Sequence, residues 1–316
     1  MKDRFDLMWD AQGEYAKRLY DITMMNDAER ELKTKELALS LHHEISKLVS
    51  AVNFKSHKRT LHPPDKGRIL YESVDVVRYA YAICSLWGFK ADDFAAAWSD
   101  KDESLDLMLT QDMNPWDGQL ALIVDIDDVI ADFREGFSEW VRDHKGIGAD
   151  PNSNEFYFIE QLRDVGVSAL ELHDEFISHR KLASLPVNET VKAINKIHDA
   201  GIWIHLLTAR PKDNLMCKYD TMKWLQDAGV KYDRLDFTGE KLAFVTRTPY
   251  CVEDKIIGCV DDSPMNCRAY MSHGLTCLMP LKSYNHDVIS DSGKLIKYNN
   301  SDELYDILNR LIDERG

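Results

Sequence analysis

The segment ALIVDIDDVIADF, residues 121–133, sets Asp125, Asp127 and Asp128 directly behind four apolar residues. Burying a carboxylate costs several kcal/mol unless a positive charge offsets it. Three acids within four positions at the end of an apolar run therefore require a cation, and a metal ion with hard-oxygen preference suits clustered carboxylates. Two further segments end in polar chemistry: LLTARP in Thr208 and Arg210, and GCVDDSP in Asp261 and Asp262. Carboxylate, hydroxyl and guanidinium groups at three strand ends could converge on one metal ion and one phosphate. A second set lies nearer the N-terminus. Glu72 and Asp75 stand three apart on one helical segment and Glu44 on the preceding one, an arrangement that can build a metal site between helices. The same acids could instead pair at helix edges, Glu72 with Arg78 and Glu44 with Lys47 or Lys55.

The elements that must position these residues change character near residue 105. Before it, ELKTKELALSLHHEISKLVSAV carries Leu37, Leu41, Ile45, Leu48 and Val52 at helical spacing. Pro63, Pro64 and Gly67 break the pattern, and ILYESVDVVRYAYAICSLWGF follows, apolar almost all round and closed by Gly88. It reads as a buried helix with a glycine stop. After it, apolar runs (ALIVDI, IWIHLLTA, KIIGCVDD, LTCLMPL) alternate with helical stretches, the pattern of a parallel α/β sheet. Ligands of such sheets bind outside the carboxyl ends of the strands, where these aspartates fall. The boundary belongs in 104–120: a helical domain over 1–110, a linker over 111–118 and an α/β domain over 119–316.

Composition sets the outer limits. The 316 residues are 44% apolar and 29% charged, as in globular proteins, and two domains can each bury a core. No apolar run is long enough to span a bilayer, and the start lacks the pattern of a secretory signal, so a cytosolic location is expected. The six cysteines form no CxxC pair and read as reduced thiols. A net charge of −15 opposes binding to polymeric nucleic acid but leaves small phosphorylated ligands open, because a metal ion can neutralise them locally.

VDIDDVIADF, LLTAR, an upstream lysine and VDDSP together resemble the haloacid dehalogenase superfamily. Within it, the sequence is most similar to phosphatases of the 5'-nucleotidase and deoxyribonucleotidase branch, through DIDDVIADF and the late Tyr284–Asn285 pair. The resemblance spans roughly 119–316 and implies a Rossmann-like domain with a small helical cap over about 136–190. It implies Asp125 as nucleophile, forming an aspartyl phosphate, and Asp127 as general acid and then base. Thr208 would hold phosphoryl oxygens with Arg210 nearby. Mg²⁺ would bind Asp125, Asp261, Asp262 and the backbone carbonyl of Asp127. Lys241 is favoured over Lys255 as the charge-balancing lysine. The dehalogenases of the superfamily lack the second aspartate of the DxD pair. Phe156, Tyr157 and Phe158 in the cap read as core rather than base-stacking residues.

Residues 5–105 resemble the all-α nucleoside triphosphate pyrophosphohydrolases, the MazG and dimeric dUTPase group, through HHEISKLVSAVNFKSHK, LYESVDVVRYAYAI and AAWSDKDE. That likeness implies Glu44, Glu72 and Asp75 as Mg²⁺ ligands, Lys55, Lys58 and Lys101 as phosphate contacts, and a homodimer through the N-terminal helices. Lys47 stands where the family usually has a second acid. Either a metal ion is lost there or the ammonium replaces its charge. Together the two likenesses imply a bifunctional Mg²⁺-dependent nucleotide hydrolase. It would take a nucleoside triphosphate to monophosphate and pyrophosphate and then to nucleoside and phosphate, plausibly on deoxypyrimidine nucleotides. Two alternatives stand beside it: a phosphatase with a non-catalytic nucleotide-sensing or dimerising N-terminal domain, and a phosphatase of nucleic-acid 3' ends.

Overall fold

The computed structural model describes residues 4–20, 25–52, 64–99, 101–102, 115–155, 166, 168–289 and 293–315. The chain divides into two units, Met1–Asp102 and Glu103–Gly316. Residues 111–114 of the expected linker, like Lys55, Lys58, Phe156, Tyr157 and Phe158, lie outside the described residues.

The described elements of the first unit are helices: α1 (Arg4–Tyr20), α2 (Asp27–Ser50), α3 (Lys66–Leu86) and α4 (91–99). α2 starts at a reciprocal cap in which Asn26 accepts from the Glu29 backbone and the Glu29 side chain accepts from that of Asn26. α1 and α2 both pack on α3. Ala16, Leu37, Ala82 and Leu86 form a small core, and the rings of Trp9, Tyr81 and Phe94 meet in tilted and edge-to-face contacts. The expectation of a buried α3 needs correction: only Tyr81, Ala82 and Leu86 are buried, while Leu70, Tyr71, Val74 and Val77 are exposed. A helix that is apolar all round needs neighbours on every side, and α1 and α2 cover only part of its circumference.

The second unit is built on six parallel strands: β1 (Ala121–Val124), β2 (Trp203–Thr208), β3 (Arg234–Phe237), β4 (Ile256–Val260), β5 (Cys277–Pro280) and β6 (Leu295–Tyr298). Their order is β3-β2-β1-β4-β5-β6, so the direction of progression reverses beside β1. β1 is apolar throughout because both its faces are covered. Leu122 and Val124 join one buried cluster with Ile204 and Leu206, while Ala121 and Ile123 join another with Trp203 and Leu207. β3 and β6 are the two edges, and their mixed sequences RLDF and LIKY reflect partial exposure. That is why their apolar signal is too weak to mark them in the sequence.

Between β1 and β2 the chain inserts α5 (Phe133–Lys145), α6 (Ala169–Ser178) and a 3-10 turn at Lys181–Ser184 before α7 (Thr190–Asp199) returns to the sheet. The remaining helices are α8 (Leu215–Asp227), α9 (Lys241–Val245), α10 (Pro249–Val252), α11 (Pro264–Ser272) and α12 (Ser301–Asp313). No helix among the described residues is long and apolar enough to cross a membrane. The insertion packs tightly on itself at Gly136, where an added Cβ would stand 2.7 Å from Leu185 Cδ2 and 3.1 Å from Pro186 Cδ. Gly136→Ala should therefore cost about 1–3 kcal/mol and lower the thermal midpoint by several degrees. Gly148→Ala, with nothing within 4 Å, should leave it within about 2 °C; calorimetry of both variants checks the contrast.

Candidate active site

β1 lies between β2 and β4, and its ladder runs one residue past the strand. The Asp125 N–H donates to the Val260 carbonyl at 2.9 Å. This fixes Asp125 beside Asp261 and Asp262, which leave β4 at the same end of the sheet. One oxygen from each of the three carboxylates lies within 4.8 Å of the others, and all three residues are buried. Lys241, the first residue of α9, reaches into this group, with Nζ 2.6 Å from Asp125 Oδ1 and 2.9 Å from Asp261 Oδ2. Lys255 sits at the opposite end of the sheet, where its carbonyl accepts from Ala121 at the start of β1.

Three carboxylates against one ammonium leave surplus negative charge in a buried space. Burial pushes the Asp125 carboxyl well above the ordinary carboxylate range; Lys241 opposes this, and Asp261 and Asp262 reinforce it. Asp262 is pushed up to about 8 by burial and by the Asp128 and Asp261 charges. Burial alone would lower the Lys241 pKa, but Asp125 and Asp261 outweigh it and raise it. Donors that are all oxygen, close together and short of positive charge fit a hard divalent cation such as Mg²⁺. The acids are also held in place from behind. Asn266 Nδ2 donates to both Asp261 oxygens at 3.1 Å, Tyr284 Oη donates to Asp262 Oδ2 at 2.6 Å, and Asn285 Nδ2 donates to the Asp262 carbonyl at 3.0 Å.

Asp127 and Asp128 part at a turn. Asp128 has φ 56°, its N–H donates to the Ala131 carbonyl at 2.7 Å, and its Oδ1 accepts from the Arg134 N–H at 3.0 Å near the start of α5. An aspartate tolerates this left-handed conformation better than a branched residue. Its carboxyl, pushed by burial to about 7, serves the turn. Asp127 points elsewhere, into a forked pair with Arg210: Nε lies 3.0 Å from Oδ2 and Nη2 lies 2.6 Å from Oδ1. Arg210 Nη1 donates to Thr221 Oγ1 at 2.9 Å. Thr208, fully buried at the end of β2, accepts from the Arg210 N–H at 3.2 Å. His173 of α6 lies within electrostatic reach of Asp127 and Arg210, and burial lowers its pKa.

The structure thus brings together Asp125, Lys241, Asp261 and Asp262, and sets Asp127 with Arg210. Sequence reasoning missed Asn266, Thr221 and Arg134. Arg134 lies with its guanidinium carbon 4.3 Å from the Tyr284 ring centroid and donates to the Glu155 carbonyl at 2.9 Å. Asn266 follows the Ser263 cap of α11 by one helical turn, a readable hint. Thr221 carries no signal, because its partner is eleven residues away in the chain. A cleft of about 380 Å³ opens beside Asp128, Asp132, Arg134, Lys282 and Tyr284. A larger one, about 420 Å³, lies within the insertion among Trp140, His144, His179 and Lys181. None of the clustered aspartates lines either cleft, but Tyr284, which donates to Asp262, lines the smaller one and so ties it to the candidate site.

In the first unit, Glu44, Glu72 and Asp75 also bring carboxylate oxygens within 4.8 Å of one another. Here each acid has a cation: Lys47 at 2.9 Å from Glu44, Arg68 at 3.3 Å from Glu72 and Arg78 at 3.7 Å from Asp75. The adjoining cavity is about 180 Å³, bordered by Gln12, Tyr15, Glu44, Asp75, Arg78 and Tyr79, below the roughly 300–1,000 Å³ usual for ligand clefts. Lys101 is exposed.

No family model matches the chain, and no curated protein does. Among solved structures it overlaps an L-2-haloacid dehalogenase over 60% of this chain and 100% of that one, at 13% identity and TM-score 0.41. A D,D-heptose 1,7-bisphosphate phosphatase from Burkholderia thailandensis overlaps 63% of this chain and 99% of its own, at 10% identity and TM-score 0.36. A hydrolase from Pseudomonas syringae overlaps 61% and 99%, at 13% identity and TM-score 0.39. At these scores the function must be read from the site's own geometry.

The charge surplus gives a prediction with a definite sign. Asp128 and Asp262 have folded-state values of about 7 and about 8 against an ordinary 3.8. The folded protein thus holds protons that the unfolded chain releases, and their stabilising contribution is lost as pH rises from about 4 through about 8. In EDTA the thermal midpoint should fall across that window. Excess Mg²⁺, which favours the ionised carboxylates, should flatten the fall and add about 2.7 kcal/mol at a hundredfold excess over its Kd. Asp261→Asn should remove the Mg²⁺ effect; differential scanning fluorimetry reads all three conditions.

Proposed function

We propose that residues 119–316 form a Mg²⁺-dependent phosphomonoester hydrolase of the haloacid dehalogenase type, acting on nucleoside monophosphates through an aspartyl phosphate. The observation that carries this reading is the buried Asp125–Lys241–Asp261–Asp262 cluster with Asp127 two residues beyond the nucleophile. An Asp125 oxygen attacks phosphorus as the bond from phosphorus to the ester oxygen breaks, and the departing oxygen takes the proton of the Asp127 carboxyl. Water then attacks the aspartyl phosphate and gives its proton to the Asp127 carboxylate. The acyl-oxygen-to-phosphorus bond breaks, which frees inorganic phosphate and restores Asp125. Lys241 offsets charge beside the nucleophile, and the Thr208 hydroxyl would hold a phosphoryl oxygen. Bound between Asp125, Asp261 and Asp262, Mg²⁺ would supply positive charge to the phosphoryl group. The helical insertion serves as the cap. The nucleotide preference rests on the resemblance of DIDDVIADF and of Tyr284–Asn285, and the cleft of about 380 Å³ beside Tyr284 offers room of the right order for a leaving nucleoside.

For the first unit the leading proposal is a pyrophosphohydrolase using Glu44, Glu72 and Asp75, which would feed monophosphate to the second unit. A second reading, assembly without catalysis, is favoured by the Lys47–Glu44 pair and the charge balance of that cluster. The exposed Leu70, Tyr71, Val74 and Val77 support pairing of α3 with a second copy of this chain. Val74→Glu combined with Leu70→Glu should then convert a dimer to a monomer in sedimentation equilibrium; a monomeric parent protein would refute the pairing.

Chromatography of products from a panel of nucleoside mono- and triphosphates with Mg²⁺ tests both units. Asp125→Asn should lower monophosphate hydrolysis by at least about a thousandfold. If the first unit is catalytic, this variant should accumulate monophosphate from a triphosphate, and Glu72→Gln should stop that. Triphosphates left untouched by Asp125→Asn would assign the first unit to assembly.

A further inference from the structure

The insertion is tied to α8 by an ion pair that the hydrolytic chemistry above does not use. Arg180, between α6 and the 3-10 turn, donates from Nε and Nη2 to Asp220 Oδ1 at 2.9 and 2.7 Å. Asp220 is completely buried, and the ion pair offsets its charge in a place where an uncompensated carboxylate would be costly. Arg180 itself adopts φ 57°, ψ 31°, a conformation that strains any residue with a Cβ. Glycine would relieve that strain but would supply no guanidinium. Strain retained to place a charged group is characteristic of functional positioning.

The residue after Asp220 is Thr221, also completely buried. Its hydroxyl donates to the Cys217 carbonyl at 2.7 Å, which fixes the rotamer, and accepts from Arg210 Nη1 at 2.9 Å. The other two Arg210 nitrogens hold both oxygens of Asp127. All three guanidinium nitrogens are thereby committed, and the plane of the Asp127 carboxyl group follows the plane of Arg210. One turn of α8 thus carries the anchor of the insertion and the support of Arg210 on consecutive residues.

We propose that Arg180 and Asp220 are positioning residues: by seating the insertion on α8 they hold Thr221, through it Arg210, and through that the orientation of Asp127 towards the leaving oxygen. The proposal rests on the phosphatase reading. It goes beyond that reading by making the seating of the cap and the aim of the general acid one structural event. A misplacement near 1 Å in such a chain costs about a hundredfold in the step that depends on it.

The test uses leaving-group dependence, which a purely structural role does not alter. An aryl phosphate such as p-nitrophenyl phosphate departs without a proton, whereas an alkyl phosphate or nucleoside monophosphate needs one. kcat/KM reports only the steps through aspartyl-phosphate formation, so it isolates the acid role of Asp127. It would be measured with the full chain and Mg²⁺ for Asp220→Asn, Arg180→Gln and the two combined, with Arg180→Lys as the conservative variant. The combined variant removes both charges of the pair together and carries the test if a single variant does not fold. The expected result is a loss of about 10- to 100-fold on the alkyl substrate with less than about threefold on the aryl one, partly restored in Arg180→Lys. Equal losses on both substrates, or none, would overturn the proposal. An Asp125→Asn variant as active as the parent protein would instead sink the phosphatase reading, and this proposal with it.

Discussion

The structure of the second unit depends on one electrostatic constraint: three buried carboxylates share a single ammonium at the carboxyl end of a parallel sheet. Parallel strands put successive chain ends at one edge, so Asp125 after β1 and Asp261–Asp262 after β4 cannot avoid one another once β1 and β4 pair. The repulsion must be met locally, and Lys241 at the first position of α9 meets part of it. Asn266 and Tyr284 hold the carboxylates with hydrogen bonds and Asn285 holds the Asp262 backbone carbonyl, but none of them adds charge. A divalent cation is therefore the natural complement to the site.

Neighbouring acids show how backbone geometry separates roles that their chemistry does not. Asp127 and Asp128 are the same residue type one position apart, yet the left-handed turn at Asp128 sends one side chain to Arg210 and the other to the start of α5. The contrast between the two acidic clusters is of the same kind. Glu44, Glu72 and Asp75 bring their oxygens within the same 4.8 Å as the aspartates of the second unit, but each has its own cation. Proximity of carboxylates alone does not create a demand for metal; the charge left over does.

Much of the second unit was legible in the sequence because its central strands are buried on both faces. Burial on two sides forces continuous apolar runs, and ALIVDI, IWIHLLTA, KIIGCVDD and LTCLMPL all end close to where β1, β2, β4 and β5 end. β3 and β6 were not legible, since edge strands bury less and their mixed composition resembles that of a loop. In the first unit the helical periodicity was visible in α2 and α3, but the exposure of α3 was not. A sequence records how apolar a helix is, not how many neighbours it has.

The sequence by itself determined the residue types and the chain order of the candidate site: acids and hydroxyls just beyond apolar runs, in an arrangement that only a parallel sheet brings to one edge. Local spacing suffices there, because strand direction converts position along the chain into position in space. Only the tertiary structure decided that Lys241 and not Lys255 meets the aspartates, that Arg210 grips Asp127, and that Thr221 and Asp220 stand behind it. Those partners are separated by tens of residues in the chain, or aimed by a helix whose docking angle depends on long-range packing, and no local periodicity encodes that angle.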